Sequence, residues 1–306
     1  MRFSVSIPTI RPGTIQMAIE SIQRQTVQDW ELIVVGQGPD KSLAAAVAPF
    51  TREDSRIRYI HLDRKGLSYA RNVAIAEARG DVMAFTDDDC EADCRWLEVM
   101  GEYFDAEPEL GFVAGPLLPP PLPGGLFSTC PQVQPADVLV VPGDEPPSTD
   151  FDFAGGNWGI RRNVALRIGP MDEYLGAGTA FAAAEDLDYK IRLTRAKVRM
   201  RSVGAMVVNH TYGVRYGLDA VYRHRRGYAT GQGALAAKLT LDGDRGGEEW
   251  MRMIWNDTFR FVRKASIGRA ATGLMRYWYA KRAYDQCLRK FTLDREHFVL
   301  KPAAER

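Results

Sequence analysis

The chain has 306 residues, 45% of them hydrophobic, with 40 basic and 39 acidic side chains for a net charge of +1. That is enough apolar material for one large α/β domain or two small ones, and a mean hydropathy of −0.26 describes a globular chain. No window approaches the roughly 20 apolar residues of a membrane-spanning helix, and the balanced charge excludes a polyanion binder steered by its overall field. The four cysteines, Cys90, Cys94, Cys130 and Cys287, form no disulfide or zinc pattern. The opening MRFSVSIPTI reads directly as a strand with no room for a secretory signal, so a cytoplasmic protein is expected.

Strand and helix signals alternate through the first half. FSVSIPT (3–9) is a β run. Ile15, Ala18, Ile19 and Ile22 recur at helical spacing within 14–25. WELIVVG (30–36) is an apolar run apart from Glu31, as in a strand covered on both faces. A helix over 42–50, a strand over 57–62, a helix over 66–78 and a strand over 81–86 follow. This order predicts a mostly parallel sheet with helices on both faces, and a ligand crevice beyond the carboxyl ends of its strands. Pro8, the Gly36–Gly38 turn and the acids Asp87, Asp88 and Asp89 fall at those ends.

The Pro/Gly-rich stretches 115–125 and 141–149 read as loops over a site. A strand or turn leading into a helix is expected over 153–169, a helix over 184–197 with acids in its first turn, and one or two strands over 198–210. From Leu218 on the pattern is helical. Between Met251 and Arg306, thirteen Arg or Lys stand against five acids, a net +8, with Trp255, Phe259, Phe261, Trp278 and Tyr279 interleaved. Such helices can lie on an anionic membrane face; aromatics at helical spacing point first to helix packing or an oligomer interface. No nucleic-acid module is recognisable.

Three consecutive carboxylates repel one another unless a cation or a helix N-terminus relieves them. If the strand continued, Asp87 and Asp89 would share a side and could share Mg²⁺ or Mn²⁺, which binds through one or two carboxylates plus substrate phosphates. A solvated loop or a helix cap explains the triplet equally.

SIPTIRP, SIQRQTVQDWELIVV, GLSYARNVAIAEARGDVMAFTDDDC, GGNWGIRRNVALRIGPMDEYLGAGT, AEDLDYKIRL and VVNH, in this order over about residues 3–235, resemble the inverting glycosyltransferases of family 2 with the GT-A fold. The resemblance implies an α/β GT-A catalytic domain over 1–215, with a basic helical extension over 216–306. It implies transfer of a sugar from a nucleotide-sugar, first a UDP-sugar, to a glycan or lipid-linked acceptor in cell-surface polysaccharide or glycan synthesis, at the cytoplasmic side and with peripheral membrane contact through the tail. Carried over by position, Pro8, Thr9, Arg11, Gln37, Arg71, Asp87 and Asp88 would face the donor. Asp87, Asp89 and His210 would hold Mn²⁺ or Mg²⁺, Gly156, Trp158 and Glu185 would meet the acceptor, and Asp186 would be the base.

Ordinary readings stand beside these: a helix-face ion pair for Arg71, helix-start charge for Glu185 and Asp186, a core histidine for His210 and core packing for Trp158. Asp188 would cap its helix or pair with an arginine. Gln37 stands where acids are usual, and its amide can still pair with uracil or thymine. Two rivals remain. A nucleotidyltransferase would need a Gly-rich phosphate loop, whereas SIPTIRPGT offers only Gly13 and Arg11. The other is a non-catalytic module that binds sugar-nucleotides or glycans.

Overall fold

The computed structural model describes residues 1–39, 41–121, 128–135, 137–141, 151–263 and 267–303, with only the backbone course given for 259–263 and 267–270. The chain divides into two compact units. One comprises residues 1–65, 69–170 and 190–216; the other comprises 66–68, 171–189 and 217–306. Much of 115–125 and 141–149, where covering loops are expected, lies outside the described residues.

The first unit is built on strands β1 (Phe3–Thr9), β2 (Trp30–Gln37), β3 (Ile57–Leu62), β4 (Val82–Phe85), β5 (Glu91–Ala92), β6 (Leu110–Ala114), β7 (Leu117–Leu118), β8 (Ser128–Thr129), β9 (Leu139–Val140), β10 (Trp158–Arg161), β11 (Arg199–Ser202), β12 (Val208–Asn209) and β13 (Arg215–Tyr216). Its main sheet has the order β3-β2-β1-β4-β10-β6-β11-β9. The pairs β3–β2, β2–β1 and β1–β4 are parallel, and β10 runs antiparallel between β4 and β6. β1 and β2 are buried along their whole length; β2 accordingly reads as a largely apolar run, while β1 buries Ser4, Ser6 and Thr9 as well. Chain order passes from β1 to β2 on one side, and β4 flanks β1 on the other. The switch point therefore falls at the carboxyl ends of β1 and β4, the usual place for a crevice in such sheets.

Helices α1 (Ile15–Gln23), α2 (Ser42–Glu53), α3 (Leu67–Glu77), α4 (Trp96–Ala106), α5 (Arg162–Ile168) and α6 (Glu185–Arg195) connect these strands. Ile15, Ala18, Ile19 and Ile22 are all fully buried, as their spacing predicts. α4 and β6 are elements the sequence pattern did not single out. Asn157, fully buried, joins this region: its side chain donates to the carbonyls of Pro116 (2.8 Å) and Met206 (2.6 Å) and accepts from Trp96 Nε1 (2.8 Å).

The second unit packs α7 (Leu218–Leu241), α8 (Gly246–Arg263) and α9 (Ile267–Lys290). Gly233 of α7 lets the backbones close up, since a Cβ there would sit 2.0 Å from the Ala280 carbonyl. The chain does not stay helical: Phe291–Asp294 (β14) and Val299–Pro302 (β15) form an antiparallel hairpin. At the centre of this unit lies a fully buried cation, Lys238, whose Nζ bridges Asp172 Oδ2 (2.9 Å) and Asp188 Oδ1 (2.5 Å). The hairpin joins the cluster where Leu300 N–H donates to Asp172 Oδ2 (2.8 Å) and the Phe298 ring centroid lies 4.5 Å from Nζ. Asp188, expected to cap its helix or pair with an arginine, thus pairs with a lysine from a remote helix. Trp278 is 53% exposed and Trp255 38%, so neither is the core residue that its helical spacing suggests.

Candidate active site

The acidic triplet does not prolong β4. That strand ends at Phe85, and the three acids form a turn closed by Cys90 N–H to the Asp87 carbonyl (3.2 Å). The alternation expected of a strand therefore does not apply, and each acid has its own partner. Asp87 takes Arg71, with Nη2 at 3.1 Å from Oδ1. Arg71 is fully buried and also donates to the Gly155 carbonyl at 2.8 Å. Asp88 accepts from Thr9 Oγ1 (2.6 Å) and pairs with the Arg11 guanidinium. Asp89 meets Arg11 Nη2 (2.9 Å), His210 Nε2 (3.3 Å) and Arg215 Nη2 (3.7 Å).

These pairings explain how three carboxylates share one turn. Burial alone would raise the pKa of Asp89, but the hydrogen bond and charge of His210 and the charge of Arg11 reverse it and hold the carboxyl well below its usual range. Burial pushes Asp87 up, reinforced by Asp89 and Asp88, and the charge of Arg71 offsets this only in part. Burial would depress His210, yet Asp89 holds its pKa above that of a free imidazole. Burial also works against Arg11, which Asp88 and Asp89 more than compensate. Asp87 is the most open of the three acids: 27% of its side-chain surface is accessible, against 4% and 3% for Asp88 and Asp89.

The sequence-predicted donor residues thus gather at one edge of the sheet. Pro8 and Thr9 end β1, Gln37 ends β2, and Arg11, Arg71, Asp87 and Asp88 interlock around the triplet. Asp88 was expected against the donor; both its oxygens are instead engaged by Thr9 and Arg11, so it ties the loop after β1 to the turn after β4. Gly156 lies close to the site, where a Cβ would come 3.1 Å from Asp87 Oδ2 and 3.3 Å from Cys90 Sγ. Trp158 cannot stack on a sugar as expected. It is fully buried, its ring stacked on Phe85 (centroids 3.8 Å apart) and near Phe112 (5.5 Å).

Cys90 was not anticipated as part of the site. It, Asp89 and His210 are all buried and place ligand-capable atoms within 4.8 Å of one another. Asp87 is not in that group. His210 stands on a shaped support: Gly213 packs against the imidazole so closely that a Cβ would clash at 2.2 Å. The oxygen, nitrogen and sulfur donors here fit a divalent ion. Arg215, the first residue of the two-residue strand β13, carries no sequence signal of its own.

Glu185 and Asp186 belong to the second unit and open α6. Asp186 Oδ1 accepts from Leu187 N–H (2.8 Å), and Glu185 is buried beside Gly176, whose φ of 103° only glycine adopts easily. Ala184, just before the pair, has φ 73°, a left-handed conformation costing a non-glycine residue about 1–2 kcal/mol. Strain of this kind persists where the surroundings over-determine it, often beside functional groups.

The first unit has a GT-A fold, with acids and their cationic partners at the carboxyl edge of its parallel strands. The chain belongs to glycosyl transferase family 2, whose model matches residues 4–168. It is 45% identical over 76 residues to an uncharacterized glycosyltransferase, EpsJ, of Bacillus subtilis, and 27% identical over 122 residues to the glucosyl-dolichyl phosphate glucuronosyltransferase of Haloferax volcanii. These matches cover 24% and 39% of this chain, and 22% and 39% of those relatives' lengths. Among solved structures it resembles the mannosyltransferase PcManGT of Pyrobaculum calidifontis, in complex with GDP-Man and Mn²⁺ (TM-score 0.61, 14% identity, covering 94% of this chain and 87% of that one). It also resembles S. aureus TarS 1–349 in complex with UDP-GlcNAc (TM-score 0.54, 14% identity, covering 100% and 97%). At such identities the likeness is one of fold.

Proposed function

We propose that this protein is an inverting glycosyltransferase that moves a sugar from a nucleoside diphosphate sugar to a hydroxyl of a glycan or lipid-linked acceptor. The observation that carries this reading is the turn after β4, where Asp87 and Asp89 sit beside Arg71, Arg11 and His210 at the switch point of a family 2 sheet. Pro8, Thr9 and Gln37 line the nucleotide side, and the Gln37 amide pairs with a pyrimidine base, first uracil. Asp89 and His210 would hold a divalent ion, Mn²⁺ or Mg²⁺, and Asp87 would face the ribose side of the donor. That ion, when bound, offsets the charge of the departing diphosphate. Arg11 and Arg71 add fixed positive charge beside the triplet, needing no reorganisation during the reaction.

Asp186 takes the proton from the acceptor hydroxyl, and Glu185 and Gly156 orient that acceptor. Residues 1–215 are assigned as the catalytic domain that meets both donor and acceptor, and 216–306 as its helical extension. No helix among the described residues is long and apolar enough to cross a membrane. The exposed Trp278 shares a groove with Arg282, Arg289 and the Lys281–Asp285 pair, and this net basic face supports peripheral contact with an anionic membrane surface, at the inner face, and thus a lipid-linked acceptor.

Asp186→Asn is expected to lower turnover by about 10²–10⁴-fold, the usual contribution of a positioned proton acceptor, with donor affinity unchanged. Steady-state transfer and calorimetric donor binding check this; near-normal turnover with intact donor binding removes Asp186 from the base role.

A further inference from the structure

The His210 ring is fixed by its surroundings. Nδ1 lies 2.9 Å from the Pro131 carbonyl, which can only accept, so Nδ1 carries the proton. In the neutral ring Nε2 then presents a lone pair toward Asp89 Oδ1, 3.3 Å away. Two electron-pair acceptors at that distance require a cation between them, either a proton or a metal ion. The carbonyl behind the ring is the outer partner that typically orients a ligating histidine.

The third group at this point is sulfur. Cys90 Sγ lies 3.7 Å from Asp89 Oδ1 and is fully buried. Cys130 Sγ lies 3.5 Å from Nδ1, the nitrogen already committed to Pro131. Of the two thiols, Cys90 is thus the one that clusters with Nε2 and the Asp89 carboxylate. Mg²⁺ takes oxygen ligands at near-octahedral geometry, whereas thiolate together with imidazole suits Zn²⁺ and Co²⁺.

We propose that Cys90 is a protein ligand beside Asp89 and His210, so that this centre prefers a thiolate-accepting divalent ion such as Zn²⁺ or Co²⁺ over Mg²⁺ and Mn²⁺. The inference rests on reading the turn after β4 as a divalent-ion centre. On binding, a metal–sulfur bond forms, the Cys90 S–H bond breaks, and its proton leaves to bulk water. No oxidation or reduction is involved.

The test uses the full chain with Cys94→Ser, because Cys94 is exposed and would bind metal on its own. Titration with Co²⁺ should produce a near-ultraviolet sulfur-to-cobalt absorption at one equivalent, with release of a proton. Cys90→Ser should abolish the band and weaken Zn²⁺ binding at least about tenfold, while Mn²⁺ binding changes less, since manganese draws little from a soft ligand. Cys130→Ser should keep the band. Absence of the band in the Cys94→Ser protein overturns the proposal, as does loss of the band in Cys130→Ser but not in Cys90→Ser. Because the band needs no substrate, metal-dependent sugar transfer without it refutes Cys90 alone and leaves the proposed activity standing. The band in a protein that transfers no sugar does the reverse.

Discussion

Asp89→Asn is expected to lower sugar transfer by about 10³-fold, the equivalent of roughly 4 kcal/mol of lost charge stabilisation at the leaving diphosphate. The substitution keeps the shape of the side chain and its capacity to accept from Arg11, so circular dichroism should show a folded protein. What it removes is the negative charge on which His210, Arg11 and Arg215 converge. Asp87→Asn should cost less, since Asp87 is the more open acid and has its own partner in Arg71. Equal transfer by wild type and Asp89→Asn at saturating Mn²⁺ would show that the turn after β4 is not the donor's ion centre.

Lys238→Met is expected to destabilise the protein by about 3–5 kcal/mol, because it leaves Asp172 and Asp188 buried, adjacent and without their cation. Urea unfolding followed by fluorescence measures this. The triple variant Lys238→Met, Asp172→Asn, Asp188→Asn should recover much of the loss, since no buried charge then lacks a partner. A single variant as stable as wild type would mean that the cluster is hydrated and contributes little. The cluster joins α7, the C-terminal hairpin and the start of α6, whose first two residues are the proposed acceptor-side acids.

The sheet was largely legible in the sequence because its strands announce themselves. β2 is covered on both faces and reads as an apolar run interrupted only by Glu31, and α1 buries the same four residues that its spacing marks. The site was legible as composition but less so as geometry. The triplet marked the place, yet alternation along a strand misassigned the directions of its members, because the strand stops at Phe85 and a turn takes over. Asp88, unexplained in the sequence, is the residue that fastens the loop after β1 through Thr9 and Arg11. That pairing spans almost eighty residues, and no local pattern reveals it.

Cys90 and Lys238 were missed for a related reason. A cysteine after a run of acids and a lysine within an alanine-rich helix both look ordinary until the fold buries them among partners distant in sequence. Trp158 erred in the opposite direction: a tryptophan between glycines resembles a sugar platform, but its neighbours on β4 and β6 enclose both ring faces. The hairpin at 291–302 follows a long helix with no proline or glycine to separate them, so periodicity alone ran the helix on.

The most direct test of the central claim is a thermal-shift screen of UDP, GDP, dTDP and CMP, each with and without Mn²⁺, on wild type and Asp89→Asn. Metal-dependent stabilisation of wild type by at least one nucleoside diphosphate, with UDP first, and its loss in Asp89→Asn is the predicted result. Stabilisation indifferent to the metal and to Asp89, or none by any of the four nucleotides, would contradict it.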